Sequence, residues 1–116
     1  GRCAVSDCGV SEALEAAHIE NYSGPKSQVA SNGILLRRDL HALFDAHLIS
    51  FEPVCGEYRL CESYLLDKTD YVSFAGATLR QPNEHQWRPN TVFLEAHRIE
   101  FDRSEKKREK VGLLPY

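Results

Sequence analysis

The sequence predicts an α+β domain, and three stretches carry that prediction. Gly33–Leu36 is a compact apolar run behind an Asn-Gly turn signal, which suits a short strand. Behind it, Leu40, Leu43 and Phe44 fall on one helical face. LISFEP, VCGE and YRLCES then read as a hairpin that turns at Gly56.

The first ten residues form a turn-rich entry, CAVSDCGV, in which Asp7 and Gly9 supply turn chemistry around Cys8. Ala13 to Ile19 is ambiguous: ALEAA favours helix by propensity, while the loop-rich NYSGPKSQVASNG that follows suits an extended strand ending at His18. Asp39 stands where a helix N-cap belongs, so a short helix is expected through His47. Residues 63 to 88 are loop-heavy, with Gly76, Pro82 and Pro89 as breakers. A last helix is expected from Pro89 or Asn90, with Phe93, His97 and Phe101 along one stripe. The tail RSEKKREK is charged on all faces and reads as a solvated helix end or a disordered run.

At 116 residues the chain fits one domain, which can bury a modest core without disulfides. No apolar run approaches the roughly 20 residues of a membrane span, and no charged-then-apolar leader opens the sequence, so a soluble cytoplasmic domain is expected. Cys3 follows directly on Gly1-Arg2, which suggests a piece of a larger protein. A formal net charge of −3 supplies no global attraction to nucleic acid, leaving that work to a local basic patch. Cys3, Cys8, Cys55 and Cys61 form two loosely spaced pairs, open to a metal knot or to ordinary thiols. A disulfide framework is the use least favoured without a secretory leader.

The chemistry concentrates in the first 45 residues, in AAHI at His18, SNG at Asn32 and DLHALFD with His41 and Asp45. Positions i and i+4 of a helix lie one turn apart on the same face, so His41 and Asp45 can present a nitrogen and an oxygen to one cation. A further histidine from a strand packed on that helix is then free to take a proton from an attacking water. Taken singly, each residue has an ordinary explanation: a core or surface histidine, a solvated helix carboxylate, an Asn-Gly turn. Their combination shifts the balance, because spacing, element type and ligand type agree.

AAHI, NGILLR and DLHALFDAHLIS, preceded by the cysteine-containing CAVSDCGV, together resemble the HNH endonuclease family, whose motif is a strand histidine, a loop asparagine and a helix histidine. The resemblance is most specific over a core of about residues 3 to 53; in the extension, residues 54 to 116, YVSFAGATLRQP and RPNTVFLEAHR carry it further. It implies a ββα-metal core with an added hairpin and C-terminal helix. It also implies that His18 is the general base, that His41 and Asp45 bind one divalent cation such as Mg, Mn or Ni, and that Asn32 supports the catalytic loop. Many members carry an Asp or His directly before the base; here Ala17 stands there, and Glu15 is the nearest substitute. Relatives often hold a structural zinc with four cysteines, and Cys3, Cys8, Cys55 and Cys61 are a conceivable but loosely spaced set for it. Arg37 and Arg38 before the helix and Lys26 in the first loop are candidate phosphate contacts, against a plain solvated surface. His97 and Trp87 read as packing residues, while His47 and His85 join no constellation.

These readings lead to the expectation of a metal-dependent endonuclease acting on DNA, in restriction or defence, with a modified-base reader or sensor domain elsewhere in the same protein. The alternative is a catalytically weakened HNH-like module that binds nucleic acid or a protein partner.

Overall fold

A computed structural model describes residues 1–19 and 32–112. Two strands and a helix open the fold: β1 (Leu14–His18), β2 (Gly33–Arg37) and α1 (Arg38–Asp45). A hairpin of β3 (Ile49–Val54) and β4 (Glu57–Glu62) follows, and α2 (Thr91–Gly112) comes last. Among the described residues there are two separate antiparallel two-stranded sheets, β1-β2 and β3-β4. The α+β expectation, with a ββα core, an added hairpin and a C-terminal helix, matches this arrangement.

The ambiguous ALEAAH segment is a strand, apart from one short turn of 3-10 helix at Ser11–Ala13. Helical propensity yields here to pairing with β2, whose register sets Glu15 opposite Leu36, Ala17 opposite Ile34 and His18 opposite Gly33. Directly opposed residues of an antiparallel pair share a face. Ala17, Ile34 and Leu36 are all buried, so this is the core face of the sheet, and Glu15 lies at its rim.

Helix α1 begins two residues earlier than expected. Arg37 occupies the N-cap position without a side-chain cap, and Asp39 sits in the first turn. The Asp39 carboxylate instead grips the Arg37 guanidinium through bonds of 2.7 and 2.9 Å, and it accepts from the Tyr71 hydroxyl at 3.0 Å. The Arg37 bonds, with smaller help from Tyr71, hold the Asp39 carboxyl below its usual range. Helix α1 stops at Asp45 rather than His47. The N–H of His47 bonds the Phe44 carbonyl at 3.1 Å and that of Leu48 bonds Leu43 at 2.9 Å, a paired closure with His47 in the left-handed region at φ 57°.

The hairpin turns through Cys55 and Gly56, both at positive φ, as a two-residue turn matched to strand twist requires. Beyond it, the loop-heavy stretch contains short 3-10 turns at Tyr64–Leu66, Asp70–Phe74 and His85–Trp87. Ala77 to Leu79 lies along β4, with Leu60 N–H bonded to Ala77 and Leu79 N–H to Tyr58, both at 2.8 Å. Arg80 then reaches back to the N-terminal turn, contacting Asp7 and the Cys3 carbonyl through its guanidinium and the Ala4 carbonyl through its N–H at 2.9 Å.

Helix α2 starts where the Asn90 side chain accepts the Val92 N–H at 2.8 Å. It buries Leu94, His97 and Phe101. The charged tail is not simply solvated. Glu105 accepts from Ser63 Oγ at 3.2 Å and Tyr64 N–H at 2.9 Å, and Arg108 donates to the His47 carbonyl at 2.7 Å. Alternating charge hides these docking residues from a pattern-based reading. None of the described helices is long and apolar enough to cross a membrane.

His97 packs as expected. It is 6% exposed, stacks on Phe44 at 3.7 Å between ring centroids, and bonds the Phe44 carbonyl at 2.8 Å and Ser50 Oγ at 2.7 Å. Burial pushes its pKa down to about 4, with His47 adding to the shift and the Phe44 carbonyl opposing it. The unfolded chain therefore takes up a proton near pH 6.5, before the folded protein does. The contribution of neutral His97 is complete above about pH 6.5 and is lost as pH falls towards about 4, at a cost of roughly 3 kcal/mol. Urea denaturation at pH 7 and pH 4.5 should show wild type losing clearly more stability than His97→Gln. An equal loss in both proteins would place the acid sensitivity elsewhere.

Candidate active site

Strand β1 delivers His18 at its last residue, exposed, opposite a glycine with no side chain to cover it. The next N–H, of Ile19, donates to the Asn32 carbonyl at 3.0 Å, and Asn32 itself is fully buried. The asparagine thus ties down the chain immediately beyond the histidine.

Helix α1 delivers the other pair. His41 Nε2 lies 3.1 Å from Asp45 Oδ2, the juxtaposition that an i, i+4 spacing allows. Two donors at right angles, each about 2.1 Å from a divalent cation, stand about 3 Å apart, so this edge fits one. The other ring nitrogen, Nδ1, faces Glu15 Oε1 at 3.2 Å. Glu15 therefore meets the opposite edge of the imidazole rather than substituting for the ligand absent at Ala17. An N–H on Nδ1 donated to that carboxylate leaves the Nε2 lone pair facing Asp45, the arrangement by which a carboxylate orients a metal-binding histidine. Among the described residues, no group of three or more His, Cys, Asp or Glu side chains is set to hold a metal ion. Water and substrate oxygens would complete the coordination shell.

His18 and Asp45 open onto one cleft of about 280 Å³, whose walls include His47, His97 and Glu100. The Glu100 carboxylate is paired with Arg103. A larger hollow of about 340 Å³ lies against Ala4, Ile34, Leu35 and Trp87. It is mainly apolar and holds none of the candidate groups. Trp87, expected as a packing residue, is half exposed at its edge and donates to Glu84 at 2.9 Å.

The candidate phosphate contacts are not equivalent. Arg37 is engaged by Asp39 and lies over the Phe74 ring at 5.2 Å, whereas Arg38 is exposed. Lys26 lies outside the described residues. The four cysteines do not come together. Cys55 sits at the tip of the hairpin, and Cys61 lies beyond four further residues of β4, more than about 13 Å along an extended chain. Sulfurs on a shared zinc lie within about 4.6 Å of each other. Burial also pushes the Cys61 thiol up to about 12, away from the thiolate that a metal needs.

Glu15, read from the sequence as a possible substitute ligand, is instead the partner of His41 Nδ1, and it shares the core face with Ala17 by strand alternation. One residue bordering the cleft, His47, escaped the sequence reading. His47 needed the helix end to be located.

The family model for HNH endonucleases matches residues 3–52, the segment that contains β1, β2 and α1. No curated protein matches the chain. In both its matched segment and its strand-strand-helix geometry, the N-terminal core of this chain is similar to the HNH endonucleases, a nuclease family.

Proposed function

We propose that this chain is a metal-dependent endonuclease domain that hydrolyses DNA phosphodiesters. The observation that carries this reading is the opening of His18 and Asp45 onto one cleft, with Asp45 Oδ2 set 3.1 Å from His41 Nε2. His18 takes the proton of the attacking water. His41 and Asp45 would hold one divalent cation, Mg, Mn or Ni, which when bound would supply positive charge against the negative charge that develops on the phosphate and the leaving 3′ oxygen. Glu15 holds His41 in the tautomer that leaves Nε2 free, and the Asn32 carbonyl holds the backbone at Ile19, next to the base. Arg38, which is exposed, and Lys26, taken from the sequence alone, are proposed to position phosphates; Arg37 would first have to release Asp39. Restriction or defence is the proposed setting, in the cytoplasm, alongside a modified-base reader or sensor domain in the same protein.

One observation favours the second reading, a weakened HNH-like binding module. Ala17 is 1% exposed and offers the cation no ligand, so the described residues supply only two.

His18→Ala should retain its fold and metal affinity but lose about 10²- to 10⁴-fold in plasmid cleavage with Mn²⁺. Wild-type turnover in the folded variant would remove His18 from the mechanism, and a wild-type protein that binds DNA without cutting it would favour the binding module.

His41→Ala and Asp45→Ala should each weaken Mn²⁺ binding in calorimetry, and the double variant should be little less active than either single one. Glu15→Gln should weaken Mn²⁺ more mildly, by roughly 10- to 100-fold, the usual effect of removing an outer carboxylate. Unchanged affinity in all three single variants would mean that the cation lies elsewhere.

Ala17→Asp puts a carboxylate on the buried face that it shares with Glu15. The metal-free variant should be less stable than wild type, because a charge is buried without a partner. Mn²⁺ should then raise its melting temperature by more than that of wild type. Equal increments would show that residue 17 does not face the ion.

A further inference from the structure

We propose that His47 is a substrate-binding residue, whose imidazole N–H holds a non-bridging phosphate oxygen of the nucleic acid in the cleft between His18 and Asp45. The inference rests on the assignment of that cleft as the nuclease site. It starts from the backbone: His47 is the second residue past the end of α1, at φ 57°, and closes the helix through its N–H to Phe44 and that of Leu48 to Leu43. Glycine takes this conformation freely, and side chains other than those of Asn, Asp and His seldom do. Nothing in the closure itself needs an imidazole.

The imidazole is nevertheless held in place. It stacks on His97 at 4.6 Å between centroids and 26° between planes, and His97 is fixed by its two hydrogen bonds. The His47 backbone is pinned as well, because its carbonyl accepts from Arg108 at 2.7 Å. Stacking occupies a ring face and leaves the ring edge available. Among the described residues, no hydrogen bond holds either His47 ring nitrogen, and the side chain borders the same cleft as His18 and Asp45. Glu100, an acidic group that lines the cleft besides Asp45, is paired with Arg103, which limits its repulsion of a phosphate. A half-buried, pre-oriented N–H donor beside a general base and a metal ligand matches what a phosphodiester in that cleft presents, an anionic oxygen with no donor of its own.

The test uses the full chain in a His18→Ala background, where binding is read without turnover. A fluorescein-labelled DNA duplex is titrated in Mn²⁺ by anisotropy against His18→Ala alone and against the same protein carrying His47→Gly or His47→Asn. Glycine suits the backbone and removes the donor, and should weaken binding by about three- to tenfold. Asparagine also tolerates the backbone, keeps an N–H donor, and should recover part of that loss. Thermal melts accompany each titration. Equal affinities for the glycine variant and its parent overturn the proposal, as does an equal loss in both substitutions that tracks lowered melting temperature, which would make His47 a packing residue. Cleavage by the otherwise wild-type protein is scored separately. If it is absent while the glycine effect persists, the nuclease assignment fails and the phosphate contact stands; if the parent does not bind DNA, both fail.

Discussion

The buried imidazole of His97 joins three elements that would otherwise meet only through apolar contact. The Phe44 carbonyl can only accept, so Nε2 carries the proton at 2.8 Å, and Nδ1 must accept from the Ser50 hydroxyl at 2.7 Å. One side chain of α2 thereby binds the last turn of α1 and the second residue of β3, while its face lies on the Phe44 ring. An uncharged, doubly bonded imidazole satisfies itself in the core, whereas a charged one there would be costly. The rest of the candidate site depends on this joint, because it sets where α1 ends.

From that end the polar geometry follows. Phe44 faces inward to His97, so its neighbour Asp45, a hundred degrees around the helix, points to solvent, and His41 lies one turn before it. The same imidazole supports the ring of His47. Below, the β1-β2 register turns Ala17 into the core and leaves His18 at the strand's exposed end. Apolar packing thus carries the proposed catalytic groups to the rim of one cleft. The cluster that would hold a cation is sparse in protein ligands, and substrate would contribute to the site it occupies.

The extension does more than cover the core. Arg80 fastens the N-terminal turn of Cys3 to Cys8, and Arg108 and Glu105 dock the far part of α2 on the loops after α1 and β4. These polar attachments join residues 41 to 77 positions apart. Their members look like ordinary surface charges in the sequence, since a salt bridge or carbonyl contact across such a separation has no periodic signature.

His18, Asn32, His41 and Asp45 were legible as candidates because helical spacing and a turn dipeptide are local properties, written in consecutive residues. The hairpin, the strand at Gly33 and the start of α2 near Asn90 were legible for the same reason. Propensity could not choose between helix and strand for ALEAAH, because that choice belongs to β2, which begins only at Gly33. Glu15 as the partner of His41, the early end of α1, the left-handed His47 and the separation of Cys55 from Cys61 were likewise decided only by tertiary structure. Each depends on which distant backbone or ring stands opposite, and local sequence fixes the periodicity of a segment but not the surface that it meets.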